Sequence, residues 1–152
     1  KKLNNNNLNF NFKFDKILVD APCSGEGTIR SSPRTALTFS ENIIKSLGGI
    51  QKSLLLNALK VLKINGDVVY STCTHSPEEN EAVISHILET YQNKIKIENI
   101  KLPSNFKIRP GITEWKGIKF HKDTSKCLRI YPQDNDTEGF FIAKLKKVGE
   151  IE

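Results

Sequence analysis

Lys16-Ile17-Leu18-Val19-Asp20-Ala21-Pro22-Cys23-Ser24-Gly25 opens on a short apolar run that ends in an acid and breaks into turn residues. That pattern fits a buried parallel strand delivering Asp20 to the carboxyl edge of a sheet. Asp67-Val68-Val69-Tyr70-Ser71-Thr72-Cys73 repeats it and brings Cys73 to the end of a second strand. Between them, Ser40 is a plausible N-cap, and apolar residues recur at helical spacing from Ile43 to Leu62. Gly48-Gly49 marks a weak point or break in that helix, and Asn65-Gly66 a turn before the second strand. Pro77, followed by Glu78 and Glu79, opens an amphipathic helix to about Tyr91, the acids matching the helix dipole. Lys94 to Ile100 alternates like a strand, and Gly139 to Leu145 reads as a closing one. Strands alternating with helices make the chain α/β.

Outward from this frame, 152 residues is the length of one ordinary domain. With 38% hydrophobic and 26% charged residues the composition is globular. Residues 1–13 are Asn-rich and read as a linker or loop. No apolar run approaches the roughly 20 residues of a membrane-spanning helix, and no signal segment opens the chain. Three widely spaced Cys make a poor disulfide framework, so reduced thiols and a cytoplasmic setting are expected. The sequence holds no Met, which points to a chain that begins partway into a longer protein.

Charge is concentrated. Residues 91–131 carry 10 basic and 3 acidic side chains, against a net +6 for the whole chain. Phe106, Trp115 and Phe120 lie among those bases, and basic residues beside aromatics suit a phosphate backbone with unstacked bases. A solvated surface with three core aromatics is the alternative. Within the stretch Lys116, Lys119 and Arg129 are candidate RNA contacts, as are Arg30 and Arg34 in the loop after Cys23.

The two strand ends bring Asp20, Cys23 and Cys73 toward one sheet edge, where open α/β sheets bind ligands. A thiol attacks as its thiolate, favoured near a helix start. The acids at 78, 79 and 81 read as capping rather than as paired general acids. His75 lacks a close pair of cysteines to make a zinc site, so no metal is expected. Cys127 reads as structural, and Gly25-Glu26-Gly27-Thr28 is no phosphate loop without its lysine.

Three blocks in order carry a resemblance: Asp20-Ala-Pro-Cys-Ser-Gly25; Tyr70-Ser-Thr-Cys73 with Ser76-Pro-Glu-Glu-Asn-Glu81; and Arg129-Ile-Tyr-Pro132 with Asp136-Thr-Glu-Gly-Phe-Phe-Ile-Ala143. Together they resemble the Sun-type RNA cytosine-C5 methyltransferases from about Phe14 to Lys146. The resemblance implies a Rossmann-like class I methyltransferase fold using S-adenosyl-L-methionine, with residues 14–148 the C-terminal part of the catalytic domain. It implies Cys73 as the nucleophile at C6 of cytosine, Cys23 as the thiol that helps resolve the adduct, and Asp20 beside both pyrimidine and cofactor. The family's first three strands and glycine-rich cofactor loop have no counterpart, so the upstream half of the same protein is an expected partner. The expected substrate is tRNA rather than ribosomal RNA. Segment Gly111-Ile-Thr-Glu-Trp-Lys-Gly117 is similar to tRNA-modifying members. A catalytically silent RNA-binding module, a ribosomal RNA enzyme and a structural partner for another chain are the rival readings.

Overall fold

The computed structural model describes residues 12–38 and 40–151; most of the Asn-rich segment lies outside them. Strand β1 (Phe14–Asp20) pairs in parallel with β2 (Leu62–Thr72), Val19 facing Tyr70 and Asp20 facing Ser71. Beyond β2 the sheet turns antiparallel. Strand β8 (Phe140–Lys147) runs against β2, and its other edge takes β3 (Ile95–Glu98) near one end and β7 (Leu128–Ile130) near the other. Strand β4 (Arg109–Pro110) extends β7, while β5 (Glu114–Trp115) and β6 (Ile118–Lys119) form a separate hairpin. The architecture is therefore α/β as expected, but with a mixed sheet and not a wholly parallel one.

Register decides what each face carries. Val19, Tyr70 and Ala143 lie abreast and are buried, as are Val68 and Leu145 one step away. They pack with Leu55 and Leu59 of helix α2 (Glu41–Lys60) and Val83, Ile84 and Ile87 of helix α3 (Glu81–Thr90). The alternate residues form the other face, where Leu18 is 69% exposed and Asp67 holds Lys144 and Lys146. Among the described residues β1 pairs on one side only, so its outer edge is open.

Three local expectations need correction. Helix α2 runs unbroken through Gly48-Gly49, capped by Ser40, whose hydroxyl accepts from the Ile43 amide at 3.3 Å. Gly48 serves packing: a Cβ there would sit 3.2 Å from the Glu78 carbonyl, so the bare backbone lets the turn at 77–80 press against the helix, whereas a Cβ on Gly49 would meet open space. Asn65-Gly66 does not end a turn before the strand. Asn65 takes φ 65° inside β2 and shifts the register against β1, a bulge and not a hairpin. Helix α3 starts at Glu81, not Pro77, because Asn80 is held outside helical geometry (φ −114°, ψ −96°) while its side chain bonds Thr72 and the Thr74 carbonyl. The loop after Cys23 contains a 3-10 turn, Glu26–Thr28, and one helical turn, α1 (Thr35–Thr38). A last short helix, α4 (Pro132–Asn135), ends at Asp136 in the left-handed region.

Candidate active site

Parallel pairing places the ends of β1 and β2 side by side, and the chain leaves both strands into loops that carry the cysteines. The Cys23 and Cys73 sulfurs lie 3.2 Å apart, both half-buried and both free. Burial pushes the Cys23 thiol up to about 12, and neighbouring Cys73 adds to the rise, so Cys23 holds its proton at neutral pH. Asp20 is exposed at the end of β1, where its Oδ1 accepts from the Ser71 hydroxyl at 2.9 Å. It shares the open face of the sheet with Leu18 and Ser71.

What ties the thiol loops together is a pair of carboxylates, Glu26 half-buried and Glu79 wholly buried. Glu26 Oε2 accepts from the Thr74 hydroxyl (3.0 Å), the His75 amide (3.2 Å) and the Ser76 hydroxyl (2.8 Å). Glu79, wholly buried, accepts from both the amide and the hydroxyl of Ser24 and from Gln51 Nε2 at 2.8 Å. Gln51 donates to the Pro22 carbonyl as well. Each acid belongs to one cysteine loop and bonds the other, so the loops are stitched across the gap between them. Backbone completes the seam: the Gly27 amide donates to the Cys73 carbonyl (2.8 Å) and the Gly139 amide to the Gly27 carbonyl (2.9 Å). A Cβ at Gly27 would lie 2.4 Å from the Gly139 oxygen and 2.7 Å from the Cys73 oxygen.

These contacts correct the capping reading. Glu79 precedes α3 and serves the Cys23 loop; Glu81 sits in the first helical turn but is spent on Arg129. The Arg129 guanidinium grips Glu81 through Nε (2.7 Å) and Nη2 (2.6 Å), while Nη1 donates to the His75 carbonyl at 3.0 Å. Arg129 is 4% exposed and cannot be an RNA contact. Its bidentate pairing with a buried carboxylate instead anchors the segment after Cys73 to the sheet. The remaining basic candidates stay on the surface. Arg30 pairs with Asp136, Arg34 is exposed, Lys119 lies on the hairpin, and Lys116 stands 3.7 Å from Glu41 and 3.8 Å from Glu78.

His75 is half-buried and stacks on Tyr131, ring centroids 5.1 Å apart. Burial holds it below the ordinary imidazole range, with Arg129 acting the same way and Glu26 opposing. Cys127 is fully buried among core side chains. No group of three metal-ligating side chains is found among the described residues, and no described helix is long and apolar enough to cross a membrane.

Two free thiols thus meet past the ends of adjacent parallel strands, one of which closes on Asp20. The family described as 16S rRNA methyltransferase RsmB/F matches residues 2–146. The chain belongs to this family. Among curated relatives, the tRNA (cytosine(49)-C(5))-methyltransferase of Pyrococcus abyssi is 45% identical over 134 residues, covering 88% of this chain and 42% of its own. Ribosomal RNA small subunit methyltransferase F of Vibrio cholerae is 38% identical over 139 residues, 91% of this chain and 27% of that protein. The crystal structure of NSun6 from Pyrococcus horikoshii with SFG superposes with a TM-score of 0.73 at 35% identity, over 92% of this chain and 32% of that one. The chain spans less than half the length of these relatives.

Proposed function

We propose that residues 14–148 form the C-terminal catalytic part of an RNA cytosine-C5 methyltransferase acting on tRNA in preference to ribosomal RNA. The observation that carries this reading is the 3.2 Å approach of two free thiols at the ends of adjacent parallel strands. C5 of cytosine is a poor nucleophile until addition at C6 breaks the ring's aromaticity, which a soft thiolate accomplishes. Cys73 is the attacking group. Cys23 lies within reach of the same ring, and its retained proton keeps it from competing for the base. After methylation the C5 proton leaves to water as the bond to Cys73 breaks and its electron pair returns to sulfur, and Cys23 assists by donating its S–H to the departing Cys73 thiolate 3.2 Å away. Glu26 and Glu79 hold both loops still during the exchange. The relative of highest quoted identity being a tRNA enzyme supports the lean to tRNA.

The expected cofactor is S-adenosyl-L-methionine, which supplies the methyl group. Asp20 fits it in part: the exposed carboxylate has one oxygen on Ser71 and the other open to a donor from the ligand. The rest of such a pocket belongs to the upstream half of the protein, whose expected place is the open edge of β1. Exposed Leu18 and the relatives' greater length support that placement. Arg30, Arg34, Lys116 and Lys119 are the surface cations available to RNA phosphate. Thiols that must stay reduced favour a cytoplasmic setting.

Intact-mass analysis of the full-length protein with S-adenosylmethionine and tRNA carrying 5-fluorocytosine tests the reading. A protein–RNA adduct that disappears with Cys73→Ser is expected. Salt-sensitive tRNA binding without any adduct would instead make the chain a silent binding module.

A further inference from the structure

A groove of about 730 Å3 runs beside the thiol pair, and neither sulfur lines it. It is walled by the segment that follows Cys73, by the β5–β6 hairpin, by Tyr131 and by the first turns of α2. His75 is two residues from Cys73, so this wall begins within about 7 Å of the nucleophile along the chain. Part of the lining is aromatic and apolar. Trp115 is 40% exposed with its indole N–H fixed on Glu78 at 3.1 Å, Ile118 is 63% exposed, and the stacked His75–Tyr131 pair stands in the same groove. A hairpin of two-residue strands that keeps a Trp and an Ile in water has its apolar side uncovered.

The polar groups narrow the occupant. Glu26 is occupied by the Cys73 loop and Arg129 by Glu81. Glu78 is shared between the Trp115 N–H and Lys116, whose ammonium also lies 5.8 Å from the Trp115 ring centroid, which leaves Glu41, 3.7 Å from Lys116, as the less committed acceptor, with Lys45 in the same groove. An exposed aromatic side chain with carboxylates and two lysines around it suits a nucleotide whose base brings an exocyclic amine with two N–H donors, where uracil has only its one ring N–H, and whose phosphate meets a cation. Taking a cytosine out of its stack for attack at C6 strips its neighbours of stacking partners, and an adjacent aromatic surface replaces what they lose.

We propose that this groove receives the unpaired base next to the target cytosine, stacked on Trp115, and favours the amino-bearing bases adenine, guanine and cytosine over uracil. The inference rests on the RNA methyltransferase reading and adds the place and chemistry of a flanking nucleotide. The test uses the full-length protein and short single-stranded RNAs with one 5-fluorocytosine, varied only at the two flanking positions. Adduct formation through Cys73 should weaken about tenfold in apparent KM when one flank is made abasic, the scale of one lost base–aromatic stack. Uracil at that flank should fall between abasic and adenine. Trp115→Ala should raise the half-saturating RNA concentration for adduct formation more than it lowers the maximal adduct-formation rate, and erase the flank preference, and Trp115→Phe should restore most of both. Equal KM for abasic and adenine flanks in the wild-type protein, while adduct still forms, overturns the groove assignment alone and does not depend on how Trp115→Ala folds. Absence of adduct with every RNA overturns the methyltransferase reading and this inference with it.

Discussion

The joined loops around Cys23 and Cys73 and the outer edge of β1, which runs straight into the Cys23 loop, differ in kind. Around the thiols nearly every buried polar group has its partner: Glu26, Glu79, Glu81, Asn80 and Arg129 each hold two or more bonds. Along β1, Leu18 stands in water and one row of backbone groups lacks a strand among the described residues. Satisfaction at one place and exposure at the other teach that the thiol centre is closely bonded among the described residues, whereas the sheet keeps an open edge among them.

Removing the proposed nucleophile should break the closely bonded side most completely. Cys73→Ser is expected to lower methyl transfer on the order of 10³-fold or more and to abolish the covalent adduct, whereas Cys23→Ala should let the adduct form and accumulate. Single-turnover assays read by denaturing gel check both. If Cys23→Ala clears its adduct at the wild-type rate, the division of labour between the thiols is wrong.

Next in size is the buried ion pair. Arg129→Ala leaves Glu81 charged and unpaired in the interior, and a loss of about 3–5 kcal/mol in chemical denaturation is expected. An RNA-contacting arginine would have weakened binding and left stability alone, so the two measurements separate the roles.

The open edge gives a smaller and conditional effect. Leu18→Lys should change the stability of this chain by itself by less than about 0.5 kcal/mol. In the full-length protein the same change should cost about 1.5–3 kcal/mol, because there Leu18 would be covered. Equal effects in both would mean that nothing packs on β1. Saturable micromolar binding of S-adenosylmethionine to the chain alone, by calorimetry, would blur the contrast from the other direction; weak or no binding is expected.

The subtlest effect is alkaline. Cys23 is raised from 9.0 to about 12, so in the unfolded chain this thiol ionises first as pH rises. The native state then binds the extra proton, and this thiol's contribution to stability should be level below about pH 9 and fall between 9 and 12. Cys127 and Tyr70, both raised by burial, push the same way, so Cys23→Ala should lessen that fall without removing it. Denaturation midpoints across that range measure the difference.

The parts of this centre that were legible in the sequence are those written locally. An apolar run closed by Asp20, and another closed by Cys73, signal strands and strand ends because periodicity and turn chemistry act within a few residues. Partners far along the chain leave no such mark. Glu81 and Arg129 are 48 residues apart, and nothing in the basic stretch distinguishes the one arginine that is buried from the nine cations around it. Glu26 sat in a glycine-rich turn that looked like a failed phosphate loop, and its real use, three donors from residues 74 to 76, exists only after β1 and β2 pair. The helix start was misplaced for a similar reason. Pro77 and its acids are good helix openers, but Asn80 answers to Thr72 and Thr74 before it answers to the helix. The mixed sheet was equally hidden, since the direction of β8 depends on the route taken after α3.

Gly27 bears on how such a protein can change over time. Segments around positions 27, 73 and 139 meet where there is no space for one additional carbon atom, so none of the three can drift without displacing the others. Novelty in substrate choice must therefore accumulate away from that meeting point. The hairpin of β5 and β6, tied to the body by little more than Trp115 and Lys116, is free to lengthen, shorten or swap residues while the chemistry beneath it stays as it is.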